Sequence, residues 1–343
     1  MRFSEYMNDW LYGKDGYYTN FIEIGKGGDF YTSVSSSMFF GGSIANRFIK
    51  VFDEGYLTKK TTIVEIGAHK GYMLADIVQF IYTIRPKLLK TLSFAIIEPQ
   101  IENAKKQLSY FQECFGDEVK LTHYKDLDEV SLDEAFVVAN EIFDAFPCEV
   151  IKDEKMLYMD KQTPYFADMS EDVKELANKY DITRGELGLG YYEFAKKMAN
   201  AFKKYEFVTF DYGEITQRRD FSLRIYHKHN TYPFFAITDF VTEEEEKPKD
   251  VSLETLFKKS DLTYDVNFSY LIGEFEKSGA KKHSFQTQLV ALVEFGISEL
   301  LELLAKNSDQ NTYEAELNRA KTLLNPTFMG ERFKCVVFRK DKS

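Results

Sequence analysis

The sequence predicts an α/β fold in which helices cover a mostly parallel β-sheet, and three observations support this prediction. From Thr61 onwards, short apolar runs alternate with helical patterns, as expected when crossover helices connect parallel strands. The first apolar run leads into a glycine-containing turn and then directly into a helical pattern. The chain has 343 residues, more than one compact core needs, so we expect insertions or a second lobe around the sheet.

Apolar runs define the candidate strands. Five of them are expected to form the central sheet, at residues 62–66, 93–97, 119–123, 135–139 and 207–210. The long interval before the fifth run indicates an insertion, with helical patterns at residues 170–180, where Ser170 is the expected N-cap, and at 190–205. Two late runs, at residues 223–226 and 335–338, are expected to complete the sheet, with an antiparallel direction as one option.

Composition and charge argue against several classes of protein. Asp and Glu total 55 against 44 Lys and Arg, which gives a net charge of −11 and disfavours nucleic acid as a partner. Hydrophobic residues make up 44% of the chain, too many for a disordered protein. The cysteines form no Cys-x-x-Cys pair and no histidine lies in a metal-ligand pattern, so we expect neither a disulfide framework nor a metal site.

Targeting patterns are also missing from the sequence. The segment from Met1 to Trp10 resembles neither a secretory signal nor a transit peptide. The longest apolar stretch, residues 289–305, is interrupted by Glu294, Glu299 and Glu302, which is typical of an amphipathic helix. We therefore expect a cytoplasmic protein that does not insert into a membrane.

The segment TTIVEIGAHKG, residues 61–71, carries the strongest local signal, a strand followed by a turn and a helix. Gly67 and Gly71 allow the backbone to turn tightly and approach a ligand, while the helix N-terminus offers free N–H groups. Glu65 lies at the carboxyl end of the strand. An acid at this point favours the cationic amino acid part of S-adenosylmethionine over the phosphates of a dinucleotide.

Acidic residues also follow the next two strands. Glu98 ends the second strand in AIIEPQ, where a carboxylate can accept hydrogen bonds from both ribose hydroxyls of a nucleoside. Asp126 follows the third strand, either as a contact near an adenine ring or as a helix cap. Because these acids are in register with the strand alternation, they predict a cofactor site on a Rossmann-like sheet.

The fourth strand runs into NEIFDAFP, residues 140–147. Polar residues directly after a strand, next to the switch point of such a sheet, lie where substrate meets cofactor. We expect Asn140 beside the cofactor and regard Glu141 and Asp144 as the catalytic candidates. Two alternatives remain open: Asp144 caps the following turn, and Glu141 pairs with a surface lysine.

Several segments, taken in order, resemble the MidA-like methyltransferases, and the likeness spans nearly the whole chain. These segments are GDFYTS (28–33), the turn at 65–71, NEIFDAFP (140–147), DYG (211–213), LRIYHKH (223–229), DLTYDVNFSYL (261–271) and NPTFMGERF (325–333). The resemblance implies a Rossmann-like class I S-adenosylmethionine-dependent methyltransferase core with an N-terminal lid, an insertion and a C-terminal accessory helical region. We expect one methyltransferase unit, with its core at about 60–150, 203–228 and 333–340 and accessory parts at 1–59, 151–202 and 229–332.

The resemblance also implies a function and further site residues. Mitochondrial members of the family assist complex I assembly by symmetrically dimethylating an arginine of a complex I subunit, so the implied cofactor is S-adenosylmethionine and the implied partner is such a protein. The implied cofactor contacts from the N-terminal segment are Gly28, Asp29, Phe30 and Thr32, and the implied substrate contacts are Asp211, Arg224, Tyr226 and His229. Structural alternatives are a turn for Gly28, core packing for Phe30, and surface hydrogen bonds for Arg224 and His229.

The sequence departs from the family pattern at three places. His69 stands where the family has the middle glycine of its cofactor turn, residues 34–37 replace a Pro-Glu-x-Ser segment, and Asn267 replaces an aspartate. Two alternative functions follow: a non-catalytic assembly or binding protein that retains an altered turn, and a small-molecule methyltransferase. A dehydrogenase is disfavoured because the turn lacks the Gly-x-Gly-x-x-Gly pattern.

Overall fold

A computed structural model describes residues 1–19, 32–216, 218, 220–238, 240 and 251–342. The chain divides into two compact units. The first unit comprises Met1–Tyr31, Ile142–Tyr191 and Tyr212–Glu274, and the second comprises Thr32–Glu141, Tyr192–Asp211 and Phe275–Ser343.

The strands and helices are numbered in chain order over the described residues. Strands β1 to β15 are Thr62–Ile66, Ser93–Ile97, Leu121–Tyr124, Leu132–Asn140, Cys148–Lys152, Lys155–Asp160, Thr163–Asp168, Arg184–Gly188, Phe202–Glu214, Arg224–His227, Asn230–Pro233, Asp261–Thr263, Val266–Asn267, Lys281–Thr287 and Phe333–Lys340. Helices α1 to α13 are Phe3–Tyr12, Ser33–Ser36, Phe39–Asp53, Tyr72–Ile84, Pro86–Leu89, Ile101–Phe115, Glu171–Lys179, Tyr191–Ala201, Leu253–Leu256, Phe268–Lys277, Gln288–Glu294, Ile297–Asn307 and Gln310–Leu324.

The second unit is built on a sheet with the strand order β14-β15-β9-β4-β1-β2-β3. Strand β1 pairs in parallel with β2 and with β4, and the pairs β2–β3 and β4–β9 are also parallel. Strand β14 pairs antiparallel with β15. The α/β class predicted from the alternating apolar runs is thereby confirmed.

The strand order places a topological switch point at β1. The chain leaves β1 toward β2 and β3 on one side and returns through β4 on the other. In such sheets ligands bind outside the carboxyl ends of the strands at this point. All five residues of β1 are buried, as expected of a strand covered on both faces by helices. The segments that follow β1, β2 and β4 are therefore the ones to inspect for a site.

The late strands follow the prediction only in part. The run at 335–338 lies within β15 and joins the main sheet. The expectation that the run at 223–226 also completes this sheet was wrong, because β10 lies in a separate three-stranded antiparallel sheet, β11-β10-β12. A short apolar run does not specify its pairing partner, which here comes from residues further along the chain.

The first unit contains this three-stranded sheet and a four-stranded antiparallel sheet, β7-β6-β5-β8. Helix α1 supplies much of its core. Five of its apolar residues recur with the spacing of one helical face and are buried: Phe3, Tyr6, Met7, Trp10 and Leu11. The indole N–H of Trp10 donates to the carbonyl of Ser260 at 2.7 Å, so this buried ring keeps a partner for its polar atom.

The predicted helices of the insertion are present, with shifted ends. Helix α7 begins after Ser170, as predicted. Helix α8 ends at Ala201, earlier than expected, because the chain continues directly into β9. The stretch at 289–305 forms two helices, α11 and α12, that are separated at Phe295 and Gly296. Every helix in the described ranges falls short of the length and apolar character that a bilayer span requires.

Candidate functional site

The turn after β1 has an unusual backbone. Gly67 and Gly71 have φ angles of 71° and 79°, and His69, between them, has a φ of 47°. The N–H of Gly71 donates to the carbonyl of Ala68 at 2.7 Å and closes the turn just before α4 begins. Glycine adopts positive φ readily, whereas other residues do so at a cost. His69, which stands where the family has a glycine, therefore occupies a position whose backbone conformation favours glycine.

Glu65 is buried at the end of β1, with 3% of its surface exposed. Its Oε2 accepts a hydrogen bond from the backbone N–H of Leu74 at 3.0 Å, which satisfies one of the unpaired donors in the first turn of α4. Burial raises the pKa of this carboxyl to about 8, and the nearby Asp76 acts in the same direction. A cation placed beside Glu65 would favour its charged form.

Glu98 lies directly after β2 and is 7% exposed. Its Oε1 accepts from the backbone N–H of Gln100 at 2.9 Å, and its Oε2 accepts from the side-chain Nε2 of Gln107 at 3.1 Å. Burial raises the pKa of Glu98, while these donors and Asn103 act in the opposite direction. A carboxylate offers about four acceptor sites, so Glu98 retains capacity for a ligand hydroxyl.

Gln107 on α6 is a residue that the sequence prediction missed. It is fully buried, and besides Glu98 its Nε2 also contacts the backbone carbonyl of His69 at 2.8 Å. Its Oε1 lies 2.8 Å from Nε2 of His123 on β3. The available signal was spacing: Gln107 lies one helical turn before the buried Phe111, so a polar residue occupies the apolar face of α6.

The end of β4 carries two polar side chains. Asn140 Nδ2 donates to Glu141 Oε1 at 2.6 Å. Asn140 Oδ1 is buried and has no hydrogen-bond partner among the residues that the structure describes. Glu141 has a φ of 54°, and its N–H donates to the carbonyl of Phe210 on β9 at 2.8 Å. A non-glycine residue in this conformation is uncommon, and such residues cluster at functional sites.

Asp126 is exposed and makes the contacts of a capping residue. Its Oδ1 accepts from the backbone N–H of Asp128 at 2.9 Å and lies 3.0 Å from Nζ of Lys197. The hydrogen bond from Asp128 is the main reason that the pKa of Asp126 is lowered. These contacts agree with the capping alternative, and the contact near adenine stays a prediction.

Asp144, in the first unit, is buried. The hydroxyl of Tyr212 donates to its Oδ2 and lies 2.6 Å from Thr263 Oγ1. Burial raises the pKa of Asp144 to about 6, whereas Tyr212 and the guanidinium of Arg224 favour its charged form. Asp144 is therefore tied into a buried polar cluster of its own unit.

The predicted substrate contacts in the first unit have different surroundings. Arg224 is buried; its Nη2 donates to Asp265 at 2.6 Å and its Nε to the hydroxyl of Tyr226 at 2.9 Å. His229 is exposed and, with Lys228, forms the two-residue turn between β10 and β11. Both turn residues have positive φ, as in hairpin turns of the favoured type.

The predicted cofactor contacts of the N-terminal segment and the predicted substrate contact Asp211 remain to be placed. Gly28, Asp29 and Phe30 lie outside the described residues. Thr32 Oγ1 accepts from the backbone N–H of Ser35 at 3.2 Å and caps α2. Asp211 is fully buried on β9. Across the described residues, His, Cys, Asp and Glu side chains form no group of three or more that could hold a metal ion.

Two of the segments that resemble the family, DYG and DLTYDVNFSYL, contain a residue whose role the first unit explains. In the DYG segment, a Cβ on Gly213 would lie 2.1 Å from the backbone carbonyl oxygen of Val266, so only glycine allows β13 to pair with β9. Asn267 replaces the usual aspartate without losing a capping role. Its Oδ1 accepts from the backbone N–H of Tyr270 at 3.2 Å, in the first turn of α10.

A comparison with protein families decides the class of the chain. A family model described as an S-adenosyl-L-methionine-dependent methyltransferase matches residues 43–286. The chain belongs to this methyltransferase family. The match confirms the MidA-like resemblance, and the protein is an enzyme that uses S-adenosylmethionine as its cofactor.

Relatives of this methyltransferase include two mitochondrial proteins named protein arginine methyltransferase NDUFAF7. The rat protein is 24% identical over 96% of this chain and 79% of its own length. The human protein is 25% identical over 96% of this chain and 78% of its own length. These names contradict the expectation of a cytoplasmic protein. That expectation depended on the lack of targeting and membrane-spanning patterns, which do not determine the compartment.

Solved structures support the fold of the methyltransferase. A protein of Burkholderia thailandensis, crystallised with S-adenosyl-homocysteine, has a TM-score of 0.80 and 21% identity and covers 100% of this chain and 88% of its own. A native structure from the same organism has a TM-score of 0.77, 20% identity and the same coverage. The class I methyltransferase fold predicted from the segments that resemble the family is thereby confirmed.

Proposed function

We propose that this methyltransferase modifies an arginine of a protein partner, forming symmetric dimethylarginine on a substrate such as a respiratory complex I subunit. The observation that carries the proposal is the full-length similarity to proteins named as arginine methyltransferases, which extends over 96% of the chain. The acidic residues at the carboxyl ends of β1, β2 and β4 agree with it, because the cofactor and an arginine are both cationic.

The cofactor is proposed to lie at the switch point of the main sheet, in the second unit. S-adenosylmethionine would supply an activated methyl group there. Glu65 would attract its ammonium group, and Glu98 would accept hydrogen bonds from its ribose hydroxyls. The buried Oδ1 of Asn140 is a polar acceptor at the end of β4 without a partner among the described residues, which is what an absent ligand donor would leave.

Further cofactor contacts remain proposals from the family resemblance. Gly67 and Gly71 would let the backbone approach the ligand, and Asp126 would lie near the adenine. Gly28, Asp29, Phe30 and Thr32 remain proposed cofactor contacts, as the resemblance implies. The hydrogen bonds of Asp126 to Asp128 and Lys197 make its proposed role the weakest of these, because they already engage its carboxylate.

Glu141 is proposed to hold the substrate guanidinium. An arginine side chain stays protonated and presents a planar fork of donors, which a carboxylate can bind with two parallel hydrogen bonds. Methyl transfer to such a nucleophile depends mainly on alignment and on exclusion of water. Glu141 is preferred over Asp144 because Asp144 is buried and accepts from Tyr212, whereas Glu141 is half-buried at the end of β4. Asp211, Arg224, Tyr226 and His229 remain secondary candidates for substrate contacts.

A labelling experiment tests this function. Purified enzyme and S-adenosylmethionine with an isotopically labelled methyl group are added to a lysate of cells that lack the protein, and labelled products are identified by mass analysis. We expect symmetric dimethylarginine on a protein band. Label in small molecules alone would favour a small-molecule methyltransferase, and no label together with no binding of S-adenosylhomocysteine would favour a non-catalytic protein.

A variant pair controls the labelling experiment. Glu98→Leu removes the proposed ribose acceptor and should lower both cofactor binding and labelling. Glu113→Gln changes an exposed acid on α6 and should leave both unchanged. Equal labelling by the wild type and Glu98→Leu would contradict the proposed position of the cofactor.

A further inference from the structure

The buried side chain of Gln107 joins three segments at one end of the main sheet. Its amide nitrogen lies within hydrogen-bonding distance of two acceptors, the carbonyl of His69 at 2.8 Å and Glu98 Oε2 at 3.1 Å. An amide nitrogen carries two hydrogens, and both are used by these contacts. The opposite orientation of the amide would place its oxygen against two acceptors, so the hydrogen bonds fix which atom is nitrogen.

The orientation of Gln107 determines the tautomer of His123. The amide oxygen of Gln107 is an acceptor only, so the His123 Nε2 that lies 2.8 Å away must carry the hydrogen. Nδ1 of His123 is then the unprotonated nitrogen. This atom is buried, and no residue in the described ranges offers it a hydrogen-bond partner. Burial also lowers the pKa of His123, which is consistent with a neutral ring.

The hydrogen bonds therefore run in one direction, from His123 to Gln107 and from Gln107 to Glu98 and the His69 carbonyl. Glu98 receives its second donor, the N–H of Gln100, on the other carboxylate oxygen. The two donors together restrict rotation of the carboxylate. The side chain of Gln107 also anchors the turn after β1, because its amide nitrogen donates to the backbone carbonyl of His69, the residue with a positive φ.

We propose that Gln107 is a positioning residue that aligns the Glu98 carboxylate for the ribose hydroxyls of the cofactor. This inference rests on the proposed role of Glu98. It assigns recognition of the ribose to a pair of residues, one that touches the sugar and one that holds the first in place. Loss of Gln107 should therefore reduce discrimination between ligands with and without these hydroxyls, in addition to any change in affinity.

Calorimetry with two ligands tests the inference, with S-adenosylhomocysteine and its 2′,3′-dideoxy analogue as probes. The wild type should bind the analogue at least about tenfold more weakly, because hydrogen bonds to a carboxylate are lost. In Gln107→Leu and Gln107→Met, neither of which can donate a hydrogen bond to Glu98, this ratio should fall to about threefold or less. Gln112→Leu, an exposed glutamine on the same helix, should keep the wild-type ratio.

The outcomes separate this inference from the proposed position of the cofactor. If the wild type binds both ligands equally, Glu98 does not recognise the ribose and the proposed cofactor position fails. If folded variants lose affinity for both ligands by the same factor, Gln107 has only a structural role and the inference is overturned. Should the variants not fold, nitrogen NMR of wild-type His123 decides, since a hydrogen on Nδ1 in place of Nε2 would contradict the direction of the hydrogen bonds.

Discussion

The carboxylate of Glu65 accepts a hydrogen bond from the backbone N–H of Leu74, so a buried acid joins the carboxyl end of β1 to the first turn of α4. Since burial raises the pKa of Glu65 to about 8, the folded protein holds the carboxyl proton of Glu65 more tightly than the unfolded chain does. Asp76, whose pKa is raised to about 7 by burial, acts in the same direction.

We predict that stability of the cofactor-free enzyme falls as pH rises. The contribution of Glu65 is fully present below its unfolded pKa, near the ordinary value of 4.5, and is lost as pH rises through about 8. Its size is on the order of a few kcal/mol. Urea unfolding at pH 5 and pH 9 measures the effect. Glu65→Gln should reduce the pH dependence, whereas the exposed Glu113→Gln should not; an unchanged dependence in Glu65→Gln would contradict the prediction.

A second prediction concerns the positive φ of His69. His69→Gly should tighten binding of S-adenosylmethionine by roughly fivefold, because loss of the imidazole and of Cβ lets the ligand approach the turn more closely. The effect on folding stability should be small, since relief of the positive φ in the folded chain and the greater freedom of the unfolded chain act in opposite directions. Calorimetry measures the affinity.

His69→Ala is the control for this prediction, because alanine removes the imidazole but keeps a Cβ and its backbone restriction. We expect its affinity to lie between those of the wild type and His69→Gly. Equal or weaker binding by His69→Gly would mean that the imidazole itself contributes to the site.

A third prediction concerns the buried acid Glu206 on β9. Arg47 on α3 donates to both of its oxygens, at 2.8 and 3.0 Å, and Arg339 on β15 donates at 2.7 Å. Glu206→Gln removes the charge that neutralises these guanidinium groups, and Arg47 is also buried. The free energy of unfolding should fall by about 3–5 kcal/mol. The exposed pair of Lys203 and Asp133 provides the contrast: Asp133→Asn should change stability little. Similar losses in the two variants would contradict the burial argument.

The elements of the main sheet could be predicted because each strand is an apolar run followed by a helical pattern. The four-stranded antiparallel sheet, β7-β6-β5-β8, could not be predicted from the sequence. Its first hairpin turns at Asp153 and Glu154, and the next at Lys161, all with positive φ. Such turns usually carry Gly or Asn, so these hairpins gave no local signal.

The candidate site also contains residues that the local sequence indicates and one whose role depends on tertiary contacts. Glu65, Glu98 and Glu141 could be singled out because each lies at or directly after the carboxyl end of a strand, a position that is visible in the sequence. Gln107 lies in the middle of a helix that also contains exposed polar residues. Its spacing from Phe111 indicates a buried position, but its role follows only from the tertiary contacts with His69, Glu98 and His123, which come from three other segments of the chain.

The last prediction tests whether Glu141 orients the substrate. Glu141→Gln should keep cofactor affinity and lower methyl transfer by roughly 100-fold or more, because a charge-assisted contact is lost where alignment sets the rate. The neutral side chain can still accept from Asn140 Nδ2 through its amide oxygen, so the local geometry should persist. Binding of S-adenosylhomocysteine and transfer to the labelled partner are measured on one preparation, with Glu113→Gln as the control. Near-normal transfer would rule out the proposed role and direct attention to Asp144 or Asp211, and joint loss of binding and transfer would place Glu141 in the cofactor site instead.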